Sequence, residues 1–374
     1  MRVVASWVGA LLVVLGCAAP VAAENTFEVD LFAFSQADHG GQPLRAEGMT
    51  YGSLRLAADL QLSDTLGVTL NAAGGLIDNE DPQPLPATVD QVLTTQASAE
   101  IITLDAQASL RYRPLGSPWG VTTGLYYHHQ RRYVFIGADA TASLDLAGGD
   151  SVLALTYSFR FGIKKPRRWD DLVMDFDFLR SHNLIFGWTQ HLSPSWLVGT
   201  SVQYTRQDGP LDDQFNFVVL YDDAGVPVHL GFEALPRERN RVQISLRTRY
   251  SPVQGLSFGL DGSVYRDDWD VTHGAIEPSL EIPLSPLTRV RLWYRFAAQT
   301  RAKYFRERPT TVAQYQTQDF DLDAFTVQSP GMLLLFPLST TTDPRWMGRL
   351  SAFGFFRSDG ISAGGANLGV EALW

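Results

Sequence analysis

The chain has 374 residues, an ordinary apolar content of 45%, 19% charged residues and a formal net charge of −10. An acidic balance argues against a nucleic-acid partner, which would want a basic patch, and no uncharged apolar run after the first segment reaches the roughly 18 residues of a spanning helix. No Pro/Gly/Ser linker or composition break divides the rest, so one large domain is expected rather than a string of smaller ones.

In chain order the first element is a leader. Met1 and Arg2 make a short positive start, residues 3–16 are apolar, and Val21, Ala22 and Ala23 form a small-residue cleavage site before Glu24. This pattern predicts a secretory signal peptide over residues 1–23 and a mature domain over 24–374. Cys17 follows Val14, Leu15 and Gly16, which can also be read as a lipoprotein processing site, although Leu15 stands where a small residue is usual. Cleavage after Ala23 removes the only cysteine, leaving no disulfide, thiol nucleophile or cysteine ligand.

The remaining chain repeats one unit: alternating strand, tight turn rich in Ser and Pro, alternating strand. The turns lie at 62–65, 114–118, 192–196, 251–255 and 284–287. Proline cannot donate to a ladder, so the prolines there must lie outside the sheet. Longer polar segments at 37–49, 78–99, 164–180, 208–238 and 301–325 separate the hairpins. Short turns at one end and long loops at the other predict an all-β fold: a transmembrane antiparallel up-and-down β-barrel with short periplasmic turns and long extracellular loops. Strands are expected near 26–36, 50–62, 66–77, 100–113, 119–130, 133–146, 151–163, 182–192, 196–206, 240–250, 256–266, 274–284, 289–299, 320–337, 346–357 and 365–374. That makes about 16 strands, or 14 if the region around Arg132 or Phe320 folds differently.

Period-2 patterning assigns faces to these strands. Leu66, Val68 and Leu70, then Phe258, Leu260 and Val264, then Val290, Leu292, Tyr294 and Phe296 should meet lipid. Trp119, Trp188, Trp196, Tyr250, Trp346 and Trp374 sit near strand ends, where amphipathic rings favour the headgroup level. The last strand alternates Ala366, Leu368, Val370, Ala372 and Trp374 against Asn367, Gly369 and Glu371. Val370, Ala372 and Trp374 therefore read as the outer-membrane insertion signal, to be met by the barrel-assembly machinery, with membrane lipid and lipopolysaccharide as the surrounding partners.

The inward faces carry the most specific chemistry. Arg241, Arg247 and Arg249 alternate with lipid-facing Val242, Leu246 and Thr248, and arginine facing lipid would be costly. A hairpin symmetric about Gln254 puts Arg247 opposite Asp261 and Arg241 opposite Asp267; one centred on Pro286 puts Glu281 opposite Arg291 and Glu277 opposite Arg295. Opposite charges across a ladder favour that pairing. Such rows either orient a polar solute in an open channel or neutralise each other around a plug, making the barrel a scaffold for an envelope partner. Polar patterning alone is required of any water-lined barrel.

Catalytic signals are weak. His39, His128, His129, His182, His191, His229 and His273 stand in no Gly-x-Ser-x-Gly or His-Glu-x-x-His motif, and no oriented partner for any of them is evident. A hydrolase is the third reading, and no cofactor is expected. Asp267, Asp268 and Asp270 around Trp269, and Asp212, Asp213, Asp222 and Asp223, match no calcium loop, so no metal is expected. Lys164, Lys165, Arg167 and Arg168 form a basic loop suited to lipopolysaccharide phosphate.

The run from Ala234 to Arg241 (Ala-Leu-Pro-Arg-Glu-Arg-Asn-Arg), then Tyr265 to Asp270 (Tyr-Arg-Asp-Asp-Trp-Asp), Tyr294-Arg295-Phe296 and Tyr304-Phe305, resembles the domain-of-unknown-function 3570 family over the C-terminal half. Tyr221, Asp222, Asp223, Ala224 and Gly225 are similar to a loop of that family, whereas the first half resembles it only in architecture. The resemblance implies a bacterial outer-membrane barrel without an established activity. Relatives are often encoded beside thioredoxin-like proteins and a flavin transferase, which implies an envelope redox, maturation or export partner, although no redox residue appears in the mature chain.

Overall fold

The computed structural model describes residues 25–38, 48–79, 101–130, 133–164, 175–212, 217–339 and 345–374. The expected leader, Cys17, His39, Arg132, Asp213 and most of the basic loop lie outside the described residues.

The first nine strands are β1 (Thr26–Asp38), β2 (Gly48–Ser63), β3 (Leu66–Asn79), β4 (Ile101–Tyr112), β5 (Trp119–Gln130), β6 (Tyr133–Leu146), β7 (Ser151–Lys164), β8 (Asp177–Ser193) and β9 (Trp196–Asp208). A short pair follows, β10 (Phe217–Tyr221) and β11 (Pro227–Phe232). The last seven are β12 (Glu238–Val253), β13 (Leu256–Asp267), β14 (Thr272–Pro283), β15 (Arg289–Gln299), β16 (Phe325–Pro337), β17 (Arg345–Arg357) and β18 (Ile361–Leu373). All but β10 and β11 join one closed antiparallel barrel of sixteen strands, sealed where β1 pairs β18. Closure leaves no strand edge unpaired, as hydrocarbon demands.

The turns fall where Pro, Ser and Gly require them: Gly116 and Gly255 adopt positive φ of 70° and 83° at the β4–β5 and β12–β13 turns. Three boundaries differ from expectation. β8 starts at Asp177 rather than near 182, because the rungs Lys164↔Asp177 to Phe159↔His182 extend the ladder beyond the membrane-facing part. β16 starts at Phe325 rather than near 320, because Asp319 caps a 3₁₀ turn over Phe320–Leu322. The segment 208–238, expected as a plain loop, contains the β10–β11 hairpin.

The outward face is apolar along the strands. Leu125 is 68% exposed, and Val202, Ile244, Leu260, Val264, Ile276 and Leu292 stand out likewise, because lipid is their solvent. Trp119, Trp196, Tyr250 and Trp346 ring the end with the short turns, and Trp196 Nε1 donates to Thr248 Oγ1 at 2.8 Å. A face test uses two consecutive residues of β9. Val202→Arg, facing hydrocarbon, is expected to lower the unfolding free energy by about 2–4 kcal/mol, whereas Gln203→Arg, facing the lumen, should change it by under about 1. Urea midpoints in lipid vesicles measure both, and equal losses would refute the face assignment.

Candidate functional site: a basic lumen wall beneath an outer cap

Hairpin register places the inward charges on β12 to β15. Arg247 lies opposite Asp261 and Arg241 opposite Asp267, while Glu281 lies opposite Arg291. The ion pairs follow reach as well as register. Asp261 takes Arg247 Nε at 3.0 Å and also Arg249 Nη2 at 2.6 Å. Glu277 takes both Arg291 and Arg295, each at 3.7 Å, and Glu281 is met by Arg289 at 3.4 Å instead of by Arg291. Arg241 turns from Asp267 to Gln207, and Asp267 binds Arg239, whose Nε is at 2.8 Å. Long guanidinium stems reach the diagonal neighbour two residues along the same face, so direct register does not fix the partner.

The outcome is a basic wall. Arg239, Arg241, Arg247, Arg249, Arg289, Arg291 and Arg295 stand on β12 and β15 against Asp261, Asp267, Glu277 and Glu281, seven cations to four carboxylates. The barrel seam is biased the other way, with Glu28, Asp30 and Glu371 around Arg55 and Arg349. The acids of the seam, on β18 and β1, lie three to seven strands from the basic wall around the ring.

Beside the basic wall is a recess of about 480 Å³, spanning β7 to β15. Its floor is made of small side chains, among them Ala154, Gly187, Gly199, Ser201 and Ser245, and its charged border is Arg247, Asp261, Glu277 and Arg295. Lumen aromatics elsewhere are held back against the wall. Phe135 lies over Gly162, Trp293 over Gly331 and Phe353 over Gly365, each pair directly opposite in register. A Cβ added at these glycines would come within 2.2–2.5 Å of the ring. Glycine thus gives the ring a place to lie flat.

The outer mouth carries a packed cap. Val218 and Val219 of β10 are fully buried, and the Val219 N–H donates to Gln318 Oε1 at 2.5 Å. Ala234 and Gln316 exchange backbone hydrogen bonds of 3.0 and 2.8 Å, which ties the loop after β9 to the loop after β15. Burial pushes the Tyr221 phenol above its ordinary pKa. Trp269 is 2% exposed, with the Arg239 guanidinium 4.1 Å above it and Tyr304 edge-on at 5.8 Å. Asp267 accepts from Trp269 N at 3.0 Å and Val271 N at 2.9 Å, so this acid organises a turn.

The cap is anchored right across the rim. Lys164 of β7 donates to the Pro210 carbonyl at 2.9 Å, Arg237 forks onto Asp177 of β8, and Arg357 of β17 donates to the Phe320 carbonyl at 3.0 Å. These three anchors all sit at the outer ends of strands.

His128 gains an oriented partner that sequence reasoning missed: its Nδ1 lies 2.8 Å from Asp105 Oδ1, which also accepts from Tyr126. Pairing β4 with β5 about the Gly116 turn, as was done for the other hairpins, brings these residues within one position of each other. Among the described residues no serine, threonine or cysteine is hydrogen-bonded to His128. His129 faces the opposite side, and Tyr157 holds His182 at 2.8 Å.

A closed barrel with an aliphatic exterior, an aromatic ring at one end and a charged interior defines a transmembrane outer-membrane β-barrel protein. Residues 175–344, the stretch holding the basic wall and both cap loops, match the family described as protein of unknown function DUF3570. No curated protein matches the chain. Solved structures similar to it include OccK1 (OpdK) of Pseudomonas aeruginosa, at 10% identity and TM-score 0.45, covering 94% of this chain and 98% of that one. A BenF-like porin from Pseudomonas fluorescens Pf-5 has 10% identity, TM-score 0.47 and coverages of 95% and 99%. The siderophore receptor PirA from Acinetobacter baumannii has 10% identity and TM-score 0.47, covering 91% of this chain and 53% of its own. The barrel assignment itself rests on this chain's strand register.

Proposed function

We propose that this protein is an outer-membrane channel for small polar solutes, entered beneath a loop cap. The observation that carries it is the water-accessible recess at mid-strand, floored by small side chains and bordered by charge. Opposed charges across a lumen orient a solute while binding it weakly enough for release. Purified protein in planar bilayers is expected to give discrete conductance steps. Silent bilayers with verified insertion would overturn the channel.

A second reading has one observation of its own. The cap is a packed unit with Val226, Val228 and Val312 on its exterior, which suits a barrel that anchors an envelope partner. It predicts a stable co-purifying envelope protein, and gentle crosslinking without an adduct would count against it. Export through the expected signal peptide, insertion by the assembly machinery at Val370, Ala372 and Trp374, and lipopolysaccharide contact at the rim belong to the same proposal.

A further inference from the structure

We infer that the recess between β7 and β15 is an anion subsite for small carboxylates, with Arg247 and Arg295 as its ligands. Its use in transport rests on the channel reading, whereas its chemistry rests on the wall itself. Arg247 bonds Asp261 only through Nε and is 68% exposed, so its two terminal nitrogens have no protein acceptor among the described residues. Arg295 meets Glu277 at 3.7 Å and shares that carboxylate with Arg291. Each acid serves two guanidiniums: Asp261 serves Arg247 and Arg249, and Glu277 serves Arg291 and Arg295. Four cations on two carboxylates leave two positive charges, and Arg247 and Arg295 are the members of each set that border the recess.

The small-residue floor supplies room, and the terminal nitrogens of a guanidinium match a carboxylate fork. The acids hold the arginines in place and keep their field moderate, so an anion binds and leaves. Arg249 does not share this role: its side chain is packed down by Asp261 at 2.6 Å and the Thr248 carbonyl at 2.9 Å.

Two measurements separate the subsite from the channel. Detergent-purified protein is titrated with succinate, with 1,4-butanediol as the uncharged control, and followed by ligand-observed NMR. Reversal potentials are read in bilayers under a KCl gradient. Succinate is expected to bind, butanediol not, and Arg247→Ala/Arg295→Ala should weaken succinate by about tenfold or more, the scale of a lost charge-assisted pair. Chloride selectivity should fall towards unity in that variant, while Asp261→Asn/Glu277→Gln, which keeps the arginines, should tighten succinate and raise chloride selectivity. Arginine-dependent binding with silent bilayers would support the subsite and sink the channel. Cation selectivity, equal butanediol binding, no succinate binding, or succinate binding unchanged by either double variant would overturn the subsite even with conductance intact.

Discussion

Arg349→Leu is expected to lower the unfolding free energy of the barrel by about 3 kcal/mol, the scale of leaving a buried charge without its partner. Arg349 on β17 reaches over β18 to Asp30 on β1, with Nη2 at 2.6 and 2.8 Å from the two carboxylate oxygens, and its Nη1 bonds Glu28 at 2.7 Å. The strand crossed between them carries Gly369, which pairs Asp30 on one side and Arg349 on the other. A Cβ at Gly369 would lie 2.3 Å from Asp30 Oδ1, so glycine is what lets the pair meet across two strand spacings. Asp30 is 5% exposed and has Glu28 as a neighbour, so loss of the cation leaves buried like charges at the one place where the first and last strands close the ring. Arg55 also reaches both acids, at 3.4 Å, which keeps the expected loss at the lower end for such a site. Urea unfolding in lipid, read by the mobility of unheated protein in electrophoresis, measures it. Gly369→Val should unfold the same seam, and Arg349→Leu/Asp30→Asn/Glu28→Gln should recover most of the loss. A midpoint unchanged in Arg349→Leu would show that the seam is held by backbone bonds alone, such as Asn25 N to the Trp374 carbonyl at 2.8 Å.

That clamp illustrates where sequence reasoning stopped. Strands, turns and faces were legible because they depend on period and local chemistry: Pro and Ser at the turns, and alternation over each strand. Hairpin arithmetic reached Arg247 opposite Asp261, since both lie on one tight hairpin. It could not reach Arg349 with Asp30, which are joined only by closure of the ring. It also gave the register of Arg241 and Glu281 but not their contacts, because Arg241 reaches the diagonal Gln207 and Glu281 is reached by the diagonal Arg289. The cap was missed for a different reason. Phe217, Val218, Val219, Leu220 and Tyr221 are apolar without alternation, the mark of a strand buried on both faces, and all five are buried. That run was visible in a segment otherwise polar enough to be taken for loop. The glycines opposite Phe135, Trp293 and Phe353 carry no signal of their own in the sequence, and only the register shows them as seats for rings.

Trp269→Ala is expected to open the cap while leaving the barrel folded. The ring is 2% exposed, fills the space between Arg239 and Tyr304, and donates from Nε1 to the Glu238 carbonyl at 3.3 Å. Removing a buried aromatic costs about 3–5 kcal/mol. The cost should fall on the local opening equilibrium, because Lys303 N bonds the Trp269 carbonyl at 2.9 Å and the loop after β15 therefore docks on this turn. A loss of about 3 kcal/mol multiplies the open population on the order of 100-fold. Arg301, Lys303 and Arg306 on that loop are trypsin sites, so cleavage there should accelerate by a similar factor while the urea midpoint of the barrel stays put. Phe305, also 2% exposed and packed edge-on to Phe320 at 5.5 Å, should behave alike when replaced by alanine. If the cap limits entry, Trp269→Ala also raises single-channel conductance, since the Arg357 and Lys164 anchors at opposite sides of the rim no longer hold one continuous roof. Faster trypsin cleavage with unchanged conductance would place the narrowest part of the path lower, among Arg247, Asp261, Glu277 and Arg295. Unchanged cleavage would mean that the cap is held by the β10–β11 core rather than by the Trp269 turn.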